Sequence, residues 1–292
     1  MKNKIKYTAA IVSYIFLIAV LIAGCKGDVT QNKETVVSPA NDSTIVTREK
    51  EPLKLKLHLS MSISDIPFPF EILDTVYSKK IPFDDKAMNS LANYSKYNQY
   101  NSKAMNMGVY GADLAYAVTF EQFQIIGPCI KTTKKLAEDL NIDFAFNQEM
   151  MDKYNKYKNN KDSLTQIVFD SYQKVDNALK NDERVGIASL VVTGSWLEGL
   201  YISTRTFINS PKTDDNKSLY RIIGKQKESL RLIINLLEEY KTDAYISSLL
   251  KSLNELTSDY NAVTKDNIIN ELQLLSIHKK VEKMRNRIIL GL

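Results

Sequence analysis

The stretch KAMNMGVYGADLAYAVTFEQF, residues 103–123, has the period of a helix and is small and apolar on nearly every side. A helix that is hydrophobic all round is usually buried on all sides, so this stretch predicts the central helix of the fold. Two glycines, Gly108 and Gly111, and the carboxylate of Asp113 lie in the middle of it. Because an uncompensated charge is costly to bury, Asp113 predicts either a partner or a function in the core.

A second stretch, residues 185–201, is again apolar nearly all round. In it Glu198 stands three residues before Tyr201, just as Asp113 stands three residues before Tyr116. Two interpretations of this shared spacing stay open, namely duplicated halves of one fold or chance similarity between two buried helices.

Helical period also dominates the rest of the chain from residue 69 to residue 290. One strictly alternating run, residues 53–60, has no second strand to pair with and is expected to form an extended arm. The pattern therefore predicts an all-α fold, a single compact bundle of about nine helices. Pro82 is expected to open the second of these helices, and Gly127 with Pro128 is expected to break or kink the chain.

Small residues on the central helix form one ridge, which predicts that another helix packs closely against it. Gly194 on the second apolar stretch predicts the same close approach. The residues of the ridge are Gly108, Ala112, Ala115 and Thr119.

The N-terminus has the pattern of a bacterial lipoprotein leader. Three lysines precede a short apolar run that ends in LIAGC, which is similar to the lipobox whose cysteine becomes the lipidated first residue. We expect residues 1–24 to be a signal peptide, residues 25–60 to comprise the lipidated Cys25, a polar tether and the extended arm, and residues 61–292 to be the helical domain. A plain signal peptide with an incidental cysteine is the alternative.

Charge and cysteine content exclude several classes of protein. Removing the leader removes three lysines from the 39 basic side chains and none of the 34 acidic ones, which leaves a net charge of +2. No nucleic-acid partner is expected, because such proteins concentrate basic charge on one face. Lipidation of Cys25 leaves Cys129 alone, which excludes an intramolecular disulfide. His58 and His278 fall in no metal-binding motif, so neither a metal nor another cofactor is expected.

Several polar side chains on otherwise buried helix faces form the candidate site. Asp113 and Glu198 lie on the two apolar stretches, and Gln226 interrupts the apolar stripe of a third helix. One interpretation is a buried polar network that sets helix register, with Arg205 or Lys227 as its cation. Another is a ligand pocket in which the acids orient a small molecule. The aromatic walls of such a pocket would be Tyr110, Tyr116, Trp196 and Tyr201.

Four motifs resemble those of a family of uncharacterised lipoproteins found widely in Bacteroidota. The family patterns are N-V-S-K-Y, K-A-L-N-L-G-V-Y-G-A-D-L-x-Y, G-x-W-x-E-x-L-Y and I-G-x-Q-K-x-S-L. This chain has NYSKY at 93–97, KAMNMGVYGADLAY at 103–116, GSWLEGLY at 194–201 and IGKQKESL at 223–230. The resemblance covers most of the chain after the tether and implies a helical outer-membrane lipoprotein, but no activity. Phe68 stands where the family often has a serine able to cap the first helix, which puts that cap in doubt.

The resulting expectation is an outer-membrane-anchored, non-catalytic lipoprotein that serves as a binding or envelope-structural module. Its expected partners are the lipid bilayer, through acylated Cys25, and an unknown envelope protein or small ligand. The alternative is a glycan hydrolase or lyase that uses Asp113 and Glu198. An enzyme would need an open cleft that exposes both carboxylates, whereas a structural network would leave neither exposed.

Overall fold

The computed structural model of the protein describes most of the chain after the expected tether. The expected leader, the lipidated Cys25, the tether and the extended arm all concern residues that lie outside the described part. The described residues are 65–66, 68–181, 184–210, 217–263 and 266–292.

Within these ranges the regular structure is entirely helical, and the predicted all-α bundle of about nine helices is confirmed. The α-helices are α1 Phe70–Ser78, α2 Tyr100–Thr119, α3 Phe123–Asp139, α4 Gln148–Tyr157, α5 Lys161–Asn181, α6 Val185–Ile208, α7 Lys217–Glu238, α8 Ala244–Asn261 and α9 Glu271–Ile289. Three short 3₁₀ segments connect some of them, Asp85–Ala87, Leu91–Lys96 and Asp143–Phe146.

Helices α2 and α6 form the centre of the bundle. Sixteen of the 20 residues of α2 and 20 of the 24 residues of α6 are buried. The two helices pack against each other, and both contact α1, α5 and α9 as well. Residues 103–119 and 185–201 are thus at the centre, as their all-round apolar character predicts, whereas Glu121 at the end of the first stretch is exposed.

Glycine lets α2 and α6 cross at backbone distance. A Cβ atom on Gly108 would lie 2.0 Å from the carbonyl oxygen of Val191, and one on Gly194 would lie 2.0 Å from that of Met105. Each helix therefore places a glycine directly against the main chain of the other. The predicted packing role of the small residues is confirmed at these two positions.

Among the described residues, α6 is the one helix long and apolar enough to cross a membrane. In its most apolar 18-residue window the mean hydropathy is 1.4, and 89% of that window is buried inside the protein. The core helix of a bundle has the same composition, because it too is surrounded by apolar side chains.

Two predictions about helix boundaries are wrong. Pro82 does not open an α-helix, and the chain instead forms the 3₁₀ segment Asp85–Ala87, where the Asp84 side chain accepts a hydrogen bond from the Lys86 amide at 3.0 Å. Gly127 and Pro128 do not break the chain either, since both lie inside α3. Pro128 is the sixth residue of α3, so the main-chain bond it removes lies near the start of the helix. The break falls earlier, at Glu121, which has a φ of +57°.

Helix α1 begins without a side-chain cap, as expected from Phe68 standing where the family often has serine. Pro69 occupies the cap position, and no side chain there accepts a hydrogen bond from the first turn. Glu71 in that turn supplies the negative charge favoured at a helix N-terminus.

Candidate functional site

The two predicted acids meet in the core. Asp113 of α2 and Glu198 of α6 are both completely buried, with 0% of either residue exposed. Arg285 of α9, only 5% exposed, lies beside them. Its Nε and Nη2 atoms donate hydrogen bonds to the Glu198 carboxylate at 2.9 and 2.8 Å. This bidentate contact is the strongest hydrogen-bonding geometry available to a guanidinium and a carboxylate.

The rest of the guanidinium is also covered by protein. Arg285 Nη2 donates a further hydrogen bond to the carbonyl oxygen of Ala87 at 3.1 Å, and the group lies 4.3 Å from the centre of the Tyr201 ring. The charge on Glu198 raises the pKa of Arg285 despite the opposing effect of burial. Arg285 therefore stays positively charged and neutralises Glu198.

Asp113 differs from Glu198 because no cation of the described residues forms an ion pair with it. Its Oδ2 atom accepts a hydrogen bond from the Asn89 amide at 3.0 Å, and no donor nitrogen or hydroxyl within the described structure reaches Oδ1. Burial and the nearby Glu198 carboxylate raise the pKa of Asp113 well above its ordinary value of 3.8. A protonated Asp113 that donates its hydrogen to Glu198 satisfies both groups. The cluster then comprises a neutral acid, a carboxylate and a guanidinium, with no net charge.

The cation predicted from the sequence is wrong. Arg205 instead pairs with Asp84, at 2.8 Å, and Lys227 is partly exposed and forms no ion pair with any described residue. Arg285 was missed because it lies 87 residues from Glu198, on a helix rich in exposed basic residues. The available signal was its position on the apolar stripe of α9, four residues after Val281.

Gln226 also has a different partner from the one predicted. Its Oε1 atom accepts a hydrogen bond from Trp196 Nε1 at 2.9 Å, and its Nε2 atom donates to the carbonyl oxygen of Ile222 at 3.2 Å. The first of these bonds joins α6 to α7 and the second lies within α7, so Gln226 takes no part in the contact between Glu198 and Arg285. Gln226 is buried and engaged, as a structural polar group normally is.

The predicted aromatic pocket does not form. Tyr110, Tyr116, Trp196 and Tyr201 are each at most 3% exposed. The Tyr110 hydroxyl donates to the Ser90 carbonyl at 2.8 Å, and the Tyr116 hydroxyl accepts from the Asp84 amide at 2.9 Å. These tyrosines therefore hold the segment between α1 and α2 against the core rather than line a cavity.

An open cleft lies elsewhere, on the side of α2 that faces α5. It contains about 460 Å³ of space, including the part that is open to solvent. Its walls are mostly apolar and come from five helices, one 3₁₀ segment and Phe68, two residues before α1. The lining residues are Phe68, Met107, Gly108, Gly111, Leu114, Thr133, Phe146, Met150, Val168, Ser171, Tyr172, Val175 and Val191.

The two places differ in the chemistry that they can support. The acid cluster has charge but is sealed, so neither water nor a substrate reaches its carboxylates. The cleft is accessible but is lined by no carboxylate, imidazole, thiol or amine. No group of three His, Cys, Asp or Glu side chains in the described structure is arranged to hold a metal ion.

Substitution of Asp113 tests the proton that we assign to it. Asp113→Asn keeps both hydrogen bonds, since its amide donates to Glu198 and its oxygen accepts from Asn89. We expect this variant to be at least as stable as wild type at neutral pH. Asp113→Ala leaves the Asn89 amide without an acceptor and should lower the free energy of unfolding by about 2 kcal/mol, measured by urea denaturation. Equal destabilisation by the two substitutions would contradict the protonated state.

The same proton predicts a pH dependence of stability. The pKa of Asp113 is higher in the folded chain than in the unfolded chain. At pH values between these two pKa values, folding is therefore accompanied by uptake of a proton. This contribution to the free energy of unfolding is complete below about pH 4 and declines as the pH rises toward the folded pKa. Asp113→Asn cannot titrate, so its stability should decline less with rising pH than that of wild type.

No protein-family model, curated protein or solved structure matches this chain. The functions of the acid cluster and of the cleft are therefore inferred from their own geometry.

Proposed function

We propose that this protein is a non-catalytic binding module of the bacterial cell envelope, anchored to the outer membrane by lipid on Cys25. The observation that carries the non-catalytic part is the complete burial of Asp113 and Glu198, together with the pairing of Glu198 to Arg285. The leader pattern and the resemblance to the Bacteroidota lipoproteins support the anchor.

The alternative of a glycan hydrolase or lyase receives no support from this geometry. Such enzymes hold two carboxyl groups on opposite sides of a bound sugar, with access for water. Here the two carboxyl groups face each other in the core, and Arg285 occupies the space beside Glu198. The cluster acts instead as a polar contact that sets the register of α2, α6 and α9.

The cleft supports the binding part of the proposal. Its central wall is α2, the same helix that the acid cluster and the glycine crossing hold in place. A concave, mostly apolar cleft on a rigid core is the usual form of a small-ligand site. The buried cluster then stabilises the scaffold, and the side of α2 that faces α5 presents the binding surface.

Replacement of Cys25 tests the anchor. Cys25→Ser removes the sulfur atom that would carry the lipid, so we expect the protein to move from the membrane fraction to the soluble periplasmic fraction. The matched control is Cys129→Ala, because Cys129 is buried inside the domain and should not affect fractionation. If Cys25→Ser protein stays with the outer membrane on a density gradient, the lipid anchor is wrong.

A further inference from the structure

The polar atoms of the cleft wall indicate what kind of ligand it takes. Thr133 and Ser171 contribute hydroxyls, but each donates within its own helix, to the carbonyl oxygens of Cys129 at 3.0 Å and Ile167 at 2.8 Å. Sugars, peptides and nucleotides would lose hydrogen bonds to water on entering such a wall and gain few in return. The wall therefore favours hydrocarbon.

Tyr172 is the exception among the lining residues. Its hydroxyl makes no hydrogen bond with any residue that the structure describes, and the side chain is only partly buried. Its ring packs against Phe68, with the two ring centres 4.3 Å apart, which fixes its position in the wall. A tyrosine hydroxyl carries its hydrogen at neutral pH and can donate it, and desolvation by the surrounding protein raises the pKa of Tyr172 further. One fixed donor at a partly exposed position suits a ligand with one polar end.

Gly111 leaves an open space in the wall. A Cβ atom built there would meet no atom within 4 Å, whereas one at Gly108, one helical turn away, would collide with α6. The neighbouring lining residues Met107 and Leu114 lie on either side of it along α2. Met107 and Met150 have flexible side chains, which can adapt to the shape of a ligand.

We propose that this cleft binds the hydrocarbon chain of a free single-chain lipid, such as a fatty acid, whose polar end accepts a hydrogen bond from Tyr172. This inference rests on the proposed function, because it names the ligand class of the same binding module.

The test uses the full mature chain with Cys25→Ser, which carries no acyl group of its own and needs no detergent. Its affinity for cis-parinaric acid, a fluorescent 18-carbon fatty acid, is measured by titration. We expect saturable binding with one site per chain. Gly111→Met places a side chain in the open space and should weaken binding by about tenfold or more. Gly111→Ala is the matched control, since its methyl group occupies little of that space.

Tyr172→Phe tests the polar contact separately. Loss of one hydrogen bond should weaken binding of the fatty acid by roughly threefold to tenfold. Binding of diphenylhexatriene, a fluorescent hydrocarbon without oxygen, should not change. A purely structural role of Tyr172 would affect both probes alike, so the difference between them identifies the hydrogen bond.

The outcomes separate this inference from the proposed function. The lipid-binding inference is overturned if the Cys25→Ser protein with an unaltered cleft binds neither probe. It is also overturned if a folded Gly111→Met variant binds as tightly as Gly111→Ala. Equal loss of both probes in Tyr172→Phe overturns the hydrogen bond. None of these results changes where the acylated protein fractionates, which is the test of the anchor. Thermal melting of each variant establishes that it is folded.

Discussion

Arg285→Met should lower the free energy of unfolding by about 3–5 kcal/mol, the usual cost of removing one partner from a buried ion pair. The substitution leaves Glu198 without a cation in a place where water cannot replace it. It also removes the hydrogen bond to Ala87 and the contact with the Tyr201 ring. Chemical denaturation followed by circular dichroism measures the change.

Two control variants separate the buried charge from the loss of a side chain. Arg205→Met breaks the pair with Asp84, whose side chains are 25% and 27% exposed, and should cost only about 1 kcal/mol. Adding Glu198→Gln to Arg285→Met removes the uncompensated charge and should restore much of the lost stability. A cost for Arg285→Met no larger than that for Arg205→Met would count against the structural role of the cluster.

The second large effect is expected at the crossing of α2 and α6. Gly108→Ala and Gly194→Ala should each lower the free energy of unfolding by about 3 kcal/mol or more, at the upper end for overpacking. In both variants the new methyl group would lie 2.0 Å from a main-chain carbonyl oxygen, and the backbone of a buried helix cannot move aside locally. The two helices would have to separate, which also pulls the acid cluster apart.

Gly111→Ala is the matched control for these two variants. It makes the same chemical change in the same helix, but its methyl group meets nothing within 4 Å. We therefore expect it to raise the free energy of unfolding by about 0.5–1 kcal/mol, the gain from replacing glycine with alanine inside a helix. Thermal and chemical melts that rank all three variants alike would contradict the crossing geometry.

The glycine crossing and the acid cluster depend on each other. Gly194 and Glu198 lie one turn apart on α6, and Gly108 and Asp113 lie just over one turn apart on α2. Because the glycines bring the two backbones together, the carboxyl groups a turn away also meet. Burial and the nearby Glu198 charge raise the pKa of Asp113, and Arg285 pairs with Glu198. The cluster is the electrostatic consequence of close packing.

The sequence by itself determined the class of fold and the central helices. Helical period, all-round apolar character and small residues are local properties, and local properties decide whether a segment is helical and how much of it is buried. The same reasoning indicated that Asp113 and Glu198 lie in the core and that Gly108 and Gly194 serve packing. The predicted ridge includes Gly108 and leaves out Gly111, and in the structure Gly108 meets α6 whereas Gly111 faces open space.

Only the tertiary structure decided which side chains meet. In it Glu198 pairs with Arg285 rather than with Arg205 or Lys227, and Gln226 accepts a hydrogen bond from Trp196. The cleft lies between α2 and α5 rather than among the buried tyrosines. The Pro82 region, short and polar, took its 3₁₀ form in contact with Tyr116 and Arg285. Partner choice depends on how helices distant in sequence are arranged in space, and that arrangement follows from the packing of the whole core, which no local pattern specifies.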